Sequence, residues 1–330
     1  MNNDVYGIGN ALVDIQAPIS DESLQEIISA GLPGTPSPVC KGNMHLVDAR
    51  FQGALLQKLA DKEFHTVSGG SACNTLIGMA QVGCRAKYSG KVGSDVYGGF
   101  FADDLRAAGV GYEVPAGQGD TGTCIVLVTP DAQRTMFTHL GISIKLTPKD
   151  LDLDAIASSK WVYIEGYLWD APGPKAASVL AMEHAKRKGV KVAYSYSDSF
   201  CVQRALPDFR AFTKDYVDLV FCNESEARAF AGVEDSGEAL SRISKLGPGV
   251  AMTLGCAGSC ISYGGKTVAV PVVPVTPVDT TGAGDLYATG VLAGLCQGKS
   301  LEEAGALGSR LASKIISVRG ARMPSDRALK

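Results

Sequence analysis

The chain has 330 residues, 45% of them hydrophobic and 20% charged, which is the composition of a folded globular protein with length for one large α/β domain or two smaller ones. A formal net charge of -3 and the lack of any basic run exclude a general nucleic-acid binder. The start MNNDVYGIGN lacks the features of a secretory leader and no apolar run is long enough to cross a bilayer, so a cytoplasmic protein without a membrane partner is expected.

Nine scattered cysteines without a CxxC pair read as reduced packing residues, and four histidines at 45, 65, 139 and 184 assemble no metal cluster.

In chain order, 5–10 and 11–18 read as strands separated by a Gly-Asn break, with Asn10 and Asp14 at or just past a strand end. Ligands of open α/β sheets sit beyond such ends, and an Asp there can accept from two neighbouring hydroxyls. On the residues alone, a plain turn or loop carboxylate is the better reading of a lone Asp.

Helices are expected over 21–30 and, capped by Asp48, over 49–62, around a Gly/Pro-rich connection at 31–38. Ser68-Gly69-Gly70-Ser71-Ala72-Cys73-Asn74 opens a helix of small residues at 75–82, where the glycines permit close backbone approach and Asn74 offers a donor and an acceptor. On the residues alone, simple packing or turn formation is the better reading.

A strand at 88–92 leads through Gly93-Ser94-Asp95 to a helix ending near 108. The β-branched runs 121–129 and 133–139 flank Pro130-Asp131-Ala132 as a hairpin. With 11–18 and segments near 36–47 and 64–68, the stretch 112–140 is expected to form a small sheet that lids the site. Arg134, beside the hairpin turn, could reach a phosphate from the lid, but on the residues alone a solvated charge is the preferred reading.

From residue 160 strands and helices alternate: strands at 160–165, 190–196, 217–222 and 250–254, helices at 174–188, 224–231 and 236–246. This pattern predicts a doubly wound, mainly parallel sheet. Asn223 and Glu226 have the spacing of a capping box. Thr253-Leu254-Gly255 turns out of a strand. Gly265-Lys266-Thr267 and Gly298-Lys299-Ser300 imitate the end of a phosphate-binding P-loop but lack its earlier glycine, and no GxGxxG fingerprint is present.

Prolines 271, 274 and 277 make 268–278 an edge or irregular strand. Then Asp279-Thr280-Thr281-Gly282-Ala283-Gly284-Asp285 opens an apolar helix reaching Gly298, and a last helix follows at 301–318. A helix start with two glycines suits a phosphoryl group, and the carboxylate beyond it is placed to take a proton from an attacking hydroxyl. On the residues alone, a threonine cap with Asp285 favouring the dipole is an equal reading.

The sequence DTTGAGD before a small-residue helix resembles the C-terminal signature of the ribokinase-like (PfkB) family of carbohydrate and nucleoside kinases. The resemblance extends over nearly the whole chain and implies an ATP-dependent kinase with magnesium, one large α/β domain spanning 1–330 and a discontinuous β-sheet lid. It implies that the backbone of Gly282, Ala283 and Gly284 forms an anion hole and that Asp285 is the catalytic base. The segment Gly9-Asn10-Ala11-Leu12-Val13-Asp14-Ile15 resembles the family's adenosine-kinase-type members, in which the Asn and Asp contact ribose. Gly69, Gly70 and Asn74 match the family's first glycine signature and become substrate-hydroxyl contacts.

Asn223 and Glu226 match its Asn-x-x-Glu element, with Glu226 acting on magnesium through water. Thr253 and Gly255 match its nucleotide loop, with adenine between that loop and the last helix, and Arg134 stands where relatives often have a phosphate-contacting arginine. Ser94 departs from the family's frequent Gly-Asp-Asp. Some relatives hold potassium near this loop, which would engage Asp279 and Thr281 by backbone or side chain. Adenosine is the first acceptor implied, a free sugar such as ribose or fructose the second, and a non-catalytic binder or regulator a reading of another class. A monomer or homodimer is expected.

Overall fold

The computed structural model describes residues 3–36, 38–131 and 133–323. Ser37 of the predicted 31–38 connection and Ala132 of the predicted hairpin turn lie outside the described residues. In chain order the strands are β1 Val5–Ile8, β2 Leu12–Pro18, β3 Met44–Leu46, β4 His65–Gly69, β5 Ala86–Ser89, β6 Val110–Tyr112, β7 Gly122–Val128, β8 Arg134–His139, β9 Trp161–Glu165, β10 Lys191–Ser195, β11 Leu219–Asn223, β12 Gly249–Thr253, β13 Ser259–Tyr263 and β14 Lys266–Val270. The helices are α1 Asp21–Ser29, α2 Ala49–Lys58, α3 Ser71–Gln81, α4 Val96–Ala107, α5 Leu153–Ala157, α6 Pro172–Lys188, α7 Ser199–Arg204, α8 Leu206–Asp215, α9 Glu224–Ala231, α10 Ser236–Ser244, α11 Ala283–Cys296 and α12 Leu301–Ile316.

Nine strands form one sheet in the order β14-β13-β12-β11-β10-β9-β1-β5-β6. It is parallel from β12 to β6 and closes at the other edge with the antiparallel β13–β14 hairpin. Successive strand residues enter opposite cores: Val5, Trp161 and Tyr163 pack with α3 and α11, whereas Tyr6, Ile8, Val162 and Ile164 pack with α6 and α8. Strands buried on both faces are what helices on both faces of a parallel sheet require. The doubly wound expectation is met.

The second sheet runs β3-β8-β7-β2-β4. On its back, Ala17, Ile125, Leu127 and Phe137 join Leu24 and Ile27 of α1 and Phe51 and Leu55 of α2 in a separate core. Its other face, carrying residues two apart, looks at the large sheet.

Small residues set the α11–α12 approach. A Cβ at Gly290 would lie 2.4 Å from Gly308 N, and one at Gly294 would lie 2.6 Å from Ala304 Cβ, so a larger side chain would push these helices apart.

Three expectations need correction. The small sheet does not begin at 112, because Tyr112 ends β6 and is drawn into the large-sheet core beside Tyr88 and Phe101; from the 36–47 segment only β3 joins it. The 268–278 run is strand only to Val270, after which its carbonyls at Pro271 and Val273 accept from Ser309 Oγ (2.8 Å) and Ser313 Oγ (2.7 Å) of α12. Residues 197–216 carry no predicted element yet hold α7 and α8.

The P-loop imitations resolve as punctuation. Gly264 and Gly265, at φ 60° and 78°, make the tight turn between β13 and β14, and Ser300 caps α12 reciprocally with Glu303.

Candidate active site

The chain reverses its winding direction at β1, which lies between β9 and β5, and the carboxyl ends of the neighbouring strands open onto a cavity of about 490 Å³. Asn10 follows β1, Glu165 ends β9, Ser195 and Ser197 lie at the end of β10, Asn223 ends β11 and Thr253 ends β12. All of these line the cavity, with the small sheet opposite and the start of α11 forming one wall.

Helix α11 follows its N-cap Gly282, whose φ of 72° lies in the left-handed region and whose missing Cβ leaves room for Ala321 Cα, which would otherwise be 2.9 Å away. No side chain caps this end. Among the described residues the Gly284 and Asp285 amides have no protein acceptor, and Gly284 opens onto free space. The resulting wall presents N–H groups and partial positive charge to the cavity, a setting for an anion.

Asp285 faces the same space from the first turn. Its Oδ1 accepts from Ser71 Oγ at 2.7 Å and its Oδ2 from Asn74 Nδ2 at 3.0 Å, so α3 holds the carboxylate of α11 by both oxygens. Burial raises this carboxyl to about 6, against the pull of the two hydrogen bonds and of the Arg134 charge. Asn74 Oδ1 is buried with no partner among the described residues, leaving an acceptor for an incoming hydroxyl.

Asp14, 9% exposed, enters from β2 of the small sheet. Gly69 on the paired strand has to be glycine for it, because a Cβ there would lie 2.4 Å from Asp14 Oδ1. Burial lifts Asp14 to about 7, moderated by Arg322 and Arg134 and increased by Asp285. Glu165, 1% exposed, accepts from Asn10 N and Ala72 N, both at 2.8 Å, and thereby fastens the exit of β1 to the start of α3. It too is lifted to about 7 by burial, with the two amides opposing and Asp285 adding.

On the other side of the cavity, the Asn223–Glu226 capping box forms as expected: Asn223 Oδ1 accepts from Glu226 N at 2.9 Å, and Glu226 Oε2 accepts from Asn223 N at 3.0 Å. Glu226 is buried, yet faces the cavity, and burial raises it to about 7 over the opposing Asn223 amide, with Asp198 and Asp285 adding. Ser197 holds a left-handed backbone at φ 65°, rare for a side chain-bearing residue, and its Oγ accepts from Gly166 N at 2.8 Å.

Asp279 lies behind the loop, 1% exposed. Its Oδ1 accepts from Thr281 N at 2.9 Å and from Thr281 Oγ1 and stands 3.1 Å from Arg134 Nε, while its Oδ2 accepts from Gly320 N at 2.7 Å. Arg134 thus spans from the small sheet to the base of this loop instead of standing free in solvent.

The structure gathers Asn10, Asp14, Gly70, Asn74, Arg134, Asn223, Glu226, Thr253, Gly282, Ala283, Gly284 and Asp285 around one cavity. Gly69, Asp279 and Thr281 lie just behind that lining, and Gly255, at φ 57°, starts a short turn outside it. No residue of α12 lines the cavity, so the expected adenine position between the Gly255 turn and that helix falls outside it.

Sequence reasoning missed Ser71, Glu165 and Ser197. Glu165 was recoverable as the last residue of a predicted strand, and Ser71 lies within the quoted glycine stretch; nothing in sequence marks the left-handed turn at Ser197. Among the described residues no group of three or more His, Cys, Asp or Glu side chains is set to hold a metal by itself.

The family model for pfkB family carbohydrate kinases matches residues 49–328. Adenosine kinase from Saccharomyces cerevisiae is 30% identical over 97% of this chain and 96% of its own, and ribokinase from Bacillus subtilis is 29% identical over 78% and 84%. Among solved structures, adenosine kinase from Sinorhizobium meliloti superposes with a TM-score of 0.90 at 39% identity, covering 100% of this chain and 98% of that one. A probable sugar kinase from Rhizobium etli reaches the same score at 36% identity, with 100% and 97% covered. With its two sheets, its strand-end cavity and a sequence match over most of its length, the chain belongs to the PfkB family and is an ATP-dependent phosphotransferase acting on a nucleoside or sugar.

Proposed function

We propose that the protein transfers the γ-phosphoryl group of ATP to the hydroxymethyl group of a nucleoside, adenosine before others. The carrying observation is the cavity-facing side of the small sheet. Leu12, Met44, Leu46, Cys124, Met136 and Leu140 put an apolar wall next to Asp14, and the one hydroxyl among them, Thr138, already donates to Cys124 Sγ at 3.2 Å. A free sugar carries hydroxyls on every side and would leave this wall against water, whereas a purine base would cover it. The adenosine kinases among the relatives support the same choice.

In this reading Asp14, Asn10 and Asn74 hold the ribose hydroxyls, with Gly69 and Gly70 keeping the backbone close. Asp285 accepts the proton of the attacking hydroxyl, and the 282–284 backbone, with the Gly284 amide left open, faces the charge that develops on the phosphoryl oxygens. Arg134 is the nearest cation on the lid side, and Thr253 and Gly255 border the nucleotide. ATP arrives with a divalent cation; magnesium neutralises phosphate charge when bound, and Glu226 and Asn223 fit as the residues holding its water, since they present hard oxygen acceptors at the cavity edge.

Potassium fits the Asp279 carboxylate poorly, because Arg134 already stands 3.1 Å from it and Thr281 and Gly320 occupy its lone pairs. Backbone carbonyls near Thr281 are what remain for such an ion, and unchanged turnover when choline replaces potassium would remove it. In this reading the protein works in the cytoplasm, where ATP and nucleosides are available, as a monomer or homodimer.

The test is ADP release from ATP and magnesium with adenosine, inosine, ribose and fructose side by side, with Asp285→Asn as control. Adenosine-dependent release that disappears in the control supports the reading. A preference for ribose or fructose keeps the mechanism and replaces the acceptor. Nucleotide binding with no turnover on any acceptor would favour a non-catalytic regulator.

A further inference from the structure

Ser71 is the first residue of α3, and its hydroxyl does not serve its own helix as a donor. The N-cap, Gly70, gives no side-chain cap either. Serines in a first helical turn ordinarily satisfy themselves on neighbouring backbone, yet Ser71 Oγ donates to Asp285 Oδ1, 214 residues away, at 2.7 Å. Asp285, for its part, sits where its own helix offers free N–H groups and is held by α3 instead.

The seam between these helices is built around that contact. Asn74 Nδ2 donates to Asp285 Oδ2 at 3.0 Å, Thr75 Oγ1 to the Asp285 carbonyl at 3.3 Å, and Thr289 Oγ1 to the Thr75 carbonyl at 3.0 Å. Glu165 fixes the turn that carries Ser71 by accepting from Ala72 N at 2.8 Å. Serine has one donor and is used here with good geometry across a joint between two elements.

We propose that Ser71 is a positioning residue for Asp285, holding Oδ1 in the ionised form and aimed so that the unused lone pairs of the carboxylate meet the acceptor hydroxyl. This rests on the reading of Asp285 as the base. Of the charged groups around Asp285, Arg134 from β8 favours its carboxylate, while ionised Asp285 in turn raises Asp14 from β2, Glu165 from β9 and Glu226 from α9. Without Ser71, Asn74 is the side-chain donor that remains on this carboxylate among the described residues.

The test is the pH profile of kcat/KM between pH 5 and 9 for wild type, Ser71→Ala, Ser71→Thr and Asp285→Asn, on whichever acceptor the panel selects. For Ser71→Ala we expect the acid limb to rise by about half to one pH unit, kcat at pH 8 to fall about 3- to 10-fold and KM for the acceptor to stay within about twofold. Ser71→Thr, which restores the hydroxyl, should return the limb to the wild-type position.

A Ser71→Ala limb that overlays wild type, or one that Ser71→Thr does not bring back, overturns the proposal. An active Asp285→Asn would instead sink the base reading. If Ser71→Ala does not fold, Ser71→Cys, a weaker donor of similar shape, is read in the same way.

Discussion

Arg134 Nε stands 3.1 Å from Asp279 Oδ1, so an ion pair joins a strand of the small sheet to the residue that begins the loop before α11. Asp279 is 1% exposed and Arg134 is largely covered, which makes this pair costly to break from one side. Arg134→Ala would leave the enclosed Asp279 carboxyl with Thr281 and Gly320 as its donors among the described residues. We expect a loss of about 2–4 kcal/mol in denaturant unfolding, with Arg134→Lys recovering part of it.

Asp285→Asn keeps the shape of the side chain and removes the proton acceptor. Turnover should fall about 10²- to 10⁴-fold while nucleoside binding, measured calorimetrically, changes by less than about threefold. Near-normal turnover in a folded variant would remove Asp285 from its role.

Because burial sets Asp285 at about 6, the wild-type rate should decline below roughly pH 6 as the base takes up a proton. Stability of the unliganded protein runs the other way. Asp14, Glu165 and Glu226 are lifted to about 7, so the folded state holds protons that the unfolded chain releases near pH 4. The stabilising contribution is full below about pH 4 and is lost as pH rises through about 7. Thermal melts should therefore show a Tm a few degrees lower at pH 8 than at pH 5; a flat or rising profile would show these carboxyls to be better solvated than their burial implies.

Met136 tests the acceptor assignment. Met136→Ala removes apolar surface from the wall beside Asp14 and should raise KM for adenosine about 10-fold, with little effect on any turnover of free ribose. Equal effects on both acceptors would mean that the base does not lie against this sheet.

Magnesium handling can be separated from acceptor binding through Glu226. Glu226→Gln keeps one of the two carboxylate oxygens that accept from Asn223 N (3.0 Å) and Nδ2 (2.7 Å) and weakens a water-holding acceptor, so the magnesium concentration for half-maximal rate should rise several-fold while KM for adenosine stays within about twofold. A change confined to acceptor KM would contradict the assignment.

Much of this layout was legible in the chain because it rests on local rules. The alternation after residue 160 needs only strand and helix periodicity, and Asn223 and Glu226 satisfy each other within four residues, so both could be read directly. Positions fixed by partners far along the chain could not. Ser71 looks like any helix-opening serine until α3 is laid against α11, and Tyr112 was misassigned because its place is decided by Tyr88 and Phe101 and not by its neighbours. Arg134 carried no hint of Asp279, since the ion pair depends on how one sheet sits over the other.

The 214-residue span between Ser71 and Asp285 also has a temporal meaning. Strands β1, β5 and β6 and the small sheet can pair from the first half of the chain, whereas the Ser71–Asp285 contact closes only when α11, close to the other end, has docked. Long-range closure is slow compared with helix and hairpin formation. During refolding, far-UV circular dichroism should return first and turnover last, with the interval between them set by the docking of α11 onto α3.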